Sequence, residues 1–141
     1  MTRVLFLCVH NSARSQMAEA FLKKHGGEKF EAESAGLEPG LLNPMVVSVM
    51  SEVGIDISHN VTKSVFDFAA QGRRYDVVVT VCSKEAAERC PIFPGPHRKL
   101  HWPFPDPSAL AGSGSEKMEG TRRIRDMIED AVKDFIKSAG A

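Results

Sequence analysis

Two short apolar runs, Val4 to Leu7 and Asp76 to Val81 (DVVVTV), limit most strongly how this chain can fold. Their apolar residues are consecutive rather than alternating, so a strand made of either must be covered on both faces. Phe30 to Ala35 and Lys99 to Trp102 read as two further strands. Helical patterns fill the gaps between them. From Ser15 onward Met17, Ala20, Phe21 and Lys24 share one helical face, and Gly26-Gly27 ends that helix. Asn43-Pro44 reads as an N-cap followed by proline at the first helical position, opening a helix that runs to Glu52 or Val53. Ile55-Asp56-Ile57 is a connector, and Ser64 to Ala70 a further helix ended by Gly72. Ser83 to Arg89 is a short helix bounded by Pro91. PFPDPSALAGSGSE is a loop. Glu116 to Lys137 is an amphipathic helix with Ile124, Ile128, Ala131 and Phe135 facing in. Strands alternating with helices make an α/β chain, a mainly parallel sheet with helices on both faces. No repeat or linker interrupts it, so residues 1–141 are expected to form a single domain.

Charge excludes some functions. Lys+Arg and Asp+Glu number 18 each, without the basic excess of a dedicated nucleic-acid or membrane-surface binder. No apolar run reaches the roughly 20 residues of a membrane span. VLFLCV is too short for a signal-peptide core and leads into polar HNSARSQ. The expected location is the cytoplasm. Thiols there are kept reduced, so the three cysteines point to catalysis, redox exchange or plain burial, not to a static disulfide framework.

The segment CVHNSARS puts Arg14 six residues after Cys8. A loop between a strand end and a helix start aims backbone N–H groups at one point, and the helix N-terminus adds partial positive charge. Val9, His10, Asn11, Ser12, Ala13 and Arg14 are therefore the expected oxyanion cradle, with Arg14 donating two parallel hydrogen bonds. The same field favours a Cys8 thiolate. Ser15 can donate to that sulfur, and Asn11 suits a left-handed loop position. A buried structural cysteine with a capping serine would use the same residues. Asp106, in WPFPDPS, lies after the last strand, and all strand ends of a parallel sheet lie at one edge. It can be a proton donor to the Cys8 site or a turn aspartate before proline. Cys82 ends the DVVVTV strand on the same edge, and Cys90 follows eight residues on. His59, His97 and His101 have no metal-ligand spacing with the cysteines, so no metal site is expected.

LFLCVHNSARSQMAEAFL resembles the phosphate-binding loop of the low-molecular-weight tyrosine phosphatases and of their relatives, the thioredoxin-coupled arsenate reductases. NSARSQMAE is closer to the reductases. The resemblance continues through SAG at Ser34 to Gly36, GIDIS at Gly54 to Ser58 and the dipeptide Asp106-Pro107. It implies a four-stranded parallel sheet with flanking helices. It also implies Cys8 as nucleophile, Asp106 as general acid, and CSKEAAERCP as a redox segment in which Cys82 and Cys90 regenerate Cys8. The family often has one residue fewer between those two cysteines. Phosphotyrosine enzymes of the family follow the Asp-Pro with tyrosines; here Ser108 and Ala109 follow, which favours a small inorganic oxyanion. Asn11, Glu19 and Ser34 match positions that surround potassium in some of the reductases. Lys63 stands where those relatives carry an acid, either as a built-in cation that removes the need for potassium or as an exposed lysine.

The resemblance thus implies a monomeric enzyme reducing arsenate to arsenite, with phosphate or sulfate as competing oxyanions, thioredoxin as partner and no organic cofactor. A tyrosine phosphatase with redox-protective cysteines, and a non-catalytic oxyanion or redox sensor, would use the same residues.

Overall fold

The computed structural model describes residues 1–95 and 97–139, with the backbone alone at Lys84. In chain order the main elements are β1 (Thr2–Cys8), α1 (Arg14–Gly26), β2 (Phe30–Gly36), α2 (Pro44–Glu52), α3 (Val65–Ala70), β3 (Val77–Thr80), α4 (Lys84–Glu88), β4 (Arg98–His101) and α5 (Gly114–Ala139). One sheet holds all four strands in the order β2-β1-β3-β4, every pair parallel.

Val4, Leu5, Phe6 and Leu7 are all fully buried. Successive side chains of a strand point to opposite faces, so both faces of β1 are covered, as its unbroken apolar run requires. Each fully buried apolar side chain of this size contributes roughly 1.5–3 kcal/mol. On the Phe6 face, Phe6 meets Trp102, Trp102 meets Phe135 of α5, and Phe135 meets Phe30. On the other face, the segment from Ala87 to Ile92 lies across Val78, Thr80, Lys99 and His101, around a cavity of about 360 Å³ that Cys90 also lines.

Asn43 caps α2 as expected: its Oδ1 accepts from the Met45 and Val46 amides. Ser64 and Ser83 cap α3 and α4 in the same way. Lys24 does not join the inner face of α1. It is exposed and donates to the Val53 carbonyl, while Leu22 is buried. An ammonium keeps its hydration by turning outward, and a leucine does not need to. The last strand starts at Arg98, one residue earlier than expected. No helix among the described residues is long and apolar enough to cross a membrane.

Candidate active site

The sheet order brings the C-terminal ends of β1 and β3 side by side. Cys8 is the last residue of β1, Leu7 pairs with Thr80 of β3, and Cys82 follows two residues later. Both cysteines are buried, and the Cys82 Sγ lies 3.8 Å from the Leu7 carbonyl.

From Val9 to Ala13 the chain curls around the Cys8 sulfur. Its outer side is fastened by the segment after β2. The amides of Leu37, Glu38, Gly40 and Asn43 donate to the carbonyls of Cys8, Val9, His10 and Ser12, at 3.2, 2.7, 3.0 and 2.9 Å. This approach needs a glycine at position 36, where a Cβ would lie 2.7 Å from both the Asn11 nitrogen and the Val9 oxygen. Asn11 takes the left-handed conformation (φ 54°) its residue type suggested. Its amide N–H donates to the Cys8 Sγ at 3.1 Å. Ser15 Oγ stands 2.9 Å from the same sulfur.

The direction of that last bond follows from its neighbours. Asn11 Oδ1 accepts from Gln16 Nε2 and from the Lys63 amide, both at 3.0 Å. Its Nδ2 must then be the group facing Ser15 Oγ, at 2.7 Å. The serine oxygen accepts from Asn11, which leaves its proton for the sulfur. Two donors thus converge on Cys8, the arrangement that holds a charged sulfur. The N-terminal turn of α1 opens onto the same loop, and with Ala13 at the cap position no side chain caps it.

Arg14 and Asp106 meet above the loop. Arg14 Nη1 donates to the Phe104 carbonyl at 3.0 Å, and its Nη2 lies 3.9 Å from Asp106 Oδ2. Asp106 takes the turn position expected of it, and its other oxygen faces the site. Its Oδ1 accepts from the Ser108 amide at 2.9 Å, capping the 3₁₀ turn Pro107–Ala109, while Oδ2 faces the arginine. His10 lies on the outside, exposed, bonded to the Glu38 carbonyl at 2.9 Å. Glu38 also pairs with Arg89, the residue before Cys90.

The thiols of Cys82 and Cys90 are unpaired. Burial, with the nearby charge of Cys8, pushes the Cys82 thiol up to about 11. Burial also raises Cys90, against an opposing pull from Lys99. Below the loop, the Lys63 ammonium stands 3.2 Å from Glu19 Oε1 and 3.3 Å from Ser34 Oγ. Ser34 donates to Glu19 at 2.5 Å, and Lys23 donates to its other oxygen at 2.6 Å. Asn11, Glu19, Ser34 and Lys63 are thus brought together. The expected substrate loop, Ser15, Arg14 and Asp106 converge as well, with Cys82 beside them and Cys90 beyond a helical turn.

Gln16 belongs to this site although its sequence position gave no functional expectation. It is fully buried, donates to Asn11 and the Val61 carbonyl, and accepts from Asn60. A glutamine directly beside the apolar face that Met17 begins was the available signal.

A phosphatase-type anion loop at the edge of a four-stranded parallel sheet is the class that fold and site define. The profile of the family described as "Low molecular weight phosphotyrosine protein phosphatase" matches residues 3–140, and the chain belongs to that family. Within it, the chain is 42% identical to the arsenate reductase of Bacillus subtilis (strain 168), over 96% of this chain and 95% of that protein. A solved arsenate reductase in its oxidized state superposes with a TM-score of 0.80 at 32% identity, covering 98% of each chain. The thioredoxin-dependent arsenate reductase of Corynebacterium glutamicum gives 0.75 at 29% identity, over 98% of this chain and 61% of that one.

Proposed function

We propose that this protein reduces arsenate to arsenite with Cys8 as nucleophile and Cys82 and Cys90 as its reducing pair. One observation carries the reading. The loop, Arg14 and Asp106 surround one thiol, and a second unpaired thiol lies two residues past the end of the adjacent strand. Arsenate reductases among the relatives support it.

Arsenate sits in the Cys8 loop, held by backbone amides and Arg14. The Cys8 sulfur attacks arsenic, and Asp106 protonates the departing oxygen, which leaves as water. Cys82 then attacks the Cys8 sulfur. The sulfur–arsenic electron pair stays on arsenic, which leaves as arsenite, and a Cys8–Cys82 disulfide remains. Cys90 attacks Cys82 and frees Cys8. Thioredoxin returns the Cys82–Cys90 disulfide to two thiols, balancing the two electrons taken by arsenic. While Cys8 carries negative charge it helps keep the Cys82 thiol protonated.

The Lys63 ammonium between Glu19 and Ser34 fills the place of a cation, so potassium is not required. The protein works as a cytoplasmic monomer without an organic cofactor, and phosphate and sulfate compete with arsenate.

The test is arsenite production by the purified protein with a reconstituted thioredoxin system. Arsenite formed with turnover supports the reading; its absence removes it. Cys82→Ser is expected to form no arsenite beyond background and to keep hydrolysing an activated aryl phosphate, because phosphoryl transfer needs only Cys8, Arg14 and Asp106. Arsenite formation by this variant at the wild-type rate would overturn the order of thiols. Hydrolysis of a phosphotyrosine peptide faster than arsenate reduction would favour the phosphatase reading.

A further inference from the structure

We propose that Asn43 is a positioning residue for Asp106, fixing through Ser108 where the acid stands over the Cys8 loop; this rests on Asp106 acting as the acid. Asn43 lies where three parts of the site converge, and every polar group it has is engaged. Its backbone N–H donates to Ser12 of the anion loop at 2.9 Å. Its carbonyl accepts from Val46 and Val47 in the first turn of α2. Its Oδ1 caps α2 through the Met45 amide at 2.9 Å. Its Nδ2 donates to Ser108 Oγ at 3.0 Å, and the Ser108 amide holds Asp106 Oδ1 at 2.9 Å.

The choice of residue follows from that geometry. Serine, threonine, aspartate and glycine all start helices well, but none offers a cap acceptor and an N–H donor on one short side chain. Only asparagine does both. Two tethers thereby bracket the acid. Arg14 holds the chain before it at the Phe104 carbonyl, and Asn43 holds it after at Ser108. When an oxyanion enters, Arg14 turns hydrogen bonds toward it, and the Asn43 tether keeps Asp106 in place. A proton donor acts only within hydrogen-bond reach of the leaving oxygen, so small displacements cost rate steeply.

The test uses the full chain and two aryl phosphates: phenyl phosphate, whose leaving group needs a proton, and 2,4-dinitrophenyl phosphate, whose leaving group does not. Asn43→Ser keeps the α2 cap but cannot reach Ser108; Ser108→Ala removes the same bond from the other side. Each is expected to lower kcat on phenyl phosphate about tenfold and on 2,4-dinitrophenyl phosphate less than about twofold. The double variant should be no worse than either single one, because both remove one interaction. Sulfate should protect Cys8 from alkylation as well as in the unaltered protein. Equal losses on both substrates, unchanged rates or multiplied losses in the double variant would overturn the proposal. So would hydrolysis that ignores Asp106→Asn. A protein that hydrolyses phenyl phosphate with Asp106 but makes no arsenite loses the arsenate reading alone, and this test still decides Asn43.

Discussion

At the scale of single residues, the site divides into what one short segment encodes and what distant segments complete. Cys8, Asn11, Arg14 and Ser15 were legible because their chemistry is local: strand end, left-handed turn, helix start. Gly36 was legible only as part of a matching motif. Its physical reason is the backbone of Val9 to Asn11 lying against it, a contact made across the sheet. Asn43 was legible as a helix cap and not as a bridge to Ser108, since nothing local announces a partner 65 residues away. Asp106 gave two readings; the structure shows the turn on one carboxylate oxygen and leaves the other oxygen facing Arg14, where a proton donor would stand. Asp106→Asn should therefore keep the turn, because the amide oxygen can still accept from Ser108, while turnover falls by roughly 10²–10⁴-fold. Oxyanion protection of Cys8 against alkylation should persist; normal single-turnover chemistry in this variant would exclude Asp106 as the acid. Lys63 gives a second expectation. With its ammonium already on Glu19 and Ser34, exchanging potassium for sodium at fixed ionic strength should leave activity unchanged. A saturable gain specific to potassium would show that the lysine does not fill that place.

At the scale of elements, α4 is the part under most tension between structure and chemistry. It has five residues, capped by Ser83, and the chain leaves it through Arg89 and Cys90. Were the whole span from Cys82 to Cys90 helical, its eight steps would advance about 12 Å, whereas a disulfide needs Cα atoms roughly 4.4–6.8 Å apart. The helix covers Lys84–Glu88 of that span, and forming a Cys82–Cys90 disulfide is expected to open it. The bonds at risk include Ala87 to Ser83, Arg89 to Ala86 and Cys90 to Ala87 among the backbone groups, the Ala86 amide to Ser83 Oγ at the cap, and Arg89 to Glu38 outside. A helix this short draws little stability from its own ladder. Oxidised protein should accordingly lose amide-exchange protection across residues 83–95, and a Cys82→Ser/Cys90→Ser variant should not. Full protection in protein whose Cys82–Cys90 disulfide is complete would refute the opening. The helix itself was legible from its cap and from Pro91. The cavity that Cys90 lines was not, because it forms between this segment and strands β3 and β4.

At the scale of the whole molecule, Glu33 joins the three leading strands. It sits on β2 and accepts from Arg3 of β1 at 3.1 Å, from Tyr75 just before β3 at 2.9 Å, and from Arg73. Burial pushes its carboxyl upward, but the bonds from Tyr75, Arg73 and Arg3 outweigh that and hold it below the usual carboxylate value. A depressed value means that the folded state binds this proton less readily than the unfolded chain. Its contribution is fully present above the unfolded value of about 4.3 and is lost as pH falls through the folded value. The melting temperature of Glu33→Gln should thus be lower at neutral pH and should decline less steeply on acidification below about pH 5. Parallel declines for the two proteins would remove Glu33 from the acid response. The strand order carries another consequence, one of timing. β1, α1 and β2 are consecutive, but β3, the other neighbour of β1, begins about 40 residues after β2 ends. A ribosome making roughly 5–20 residues per second needs about 2–8 s to supply it. During that interval the nascent chain carries Cys8 and its loop on a strand with one side still unpaired, before Cys82 or Cys90 has been synthesised.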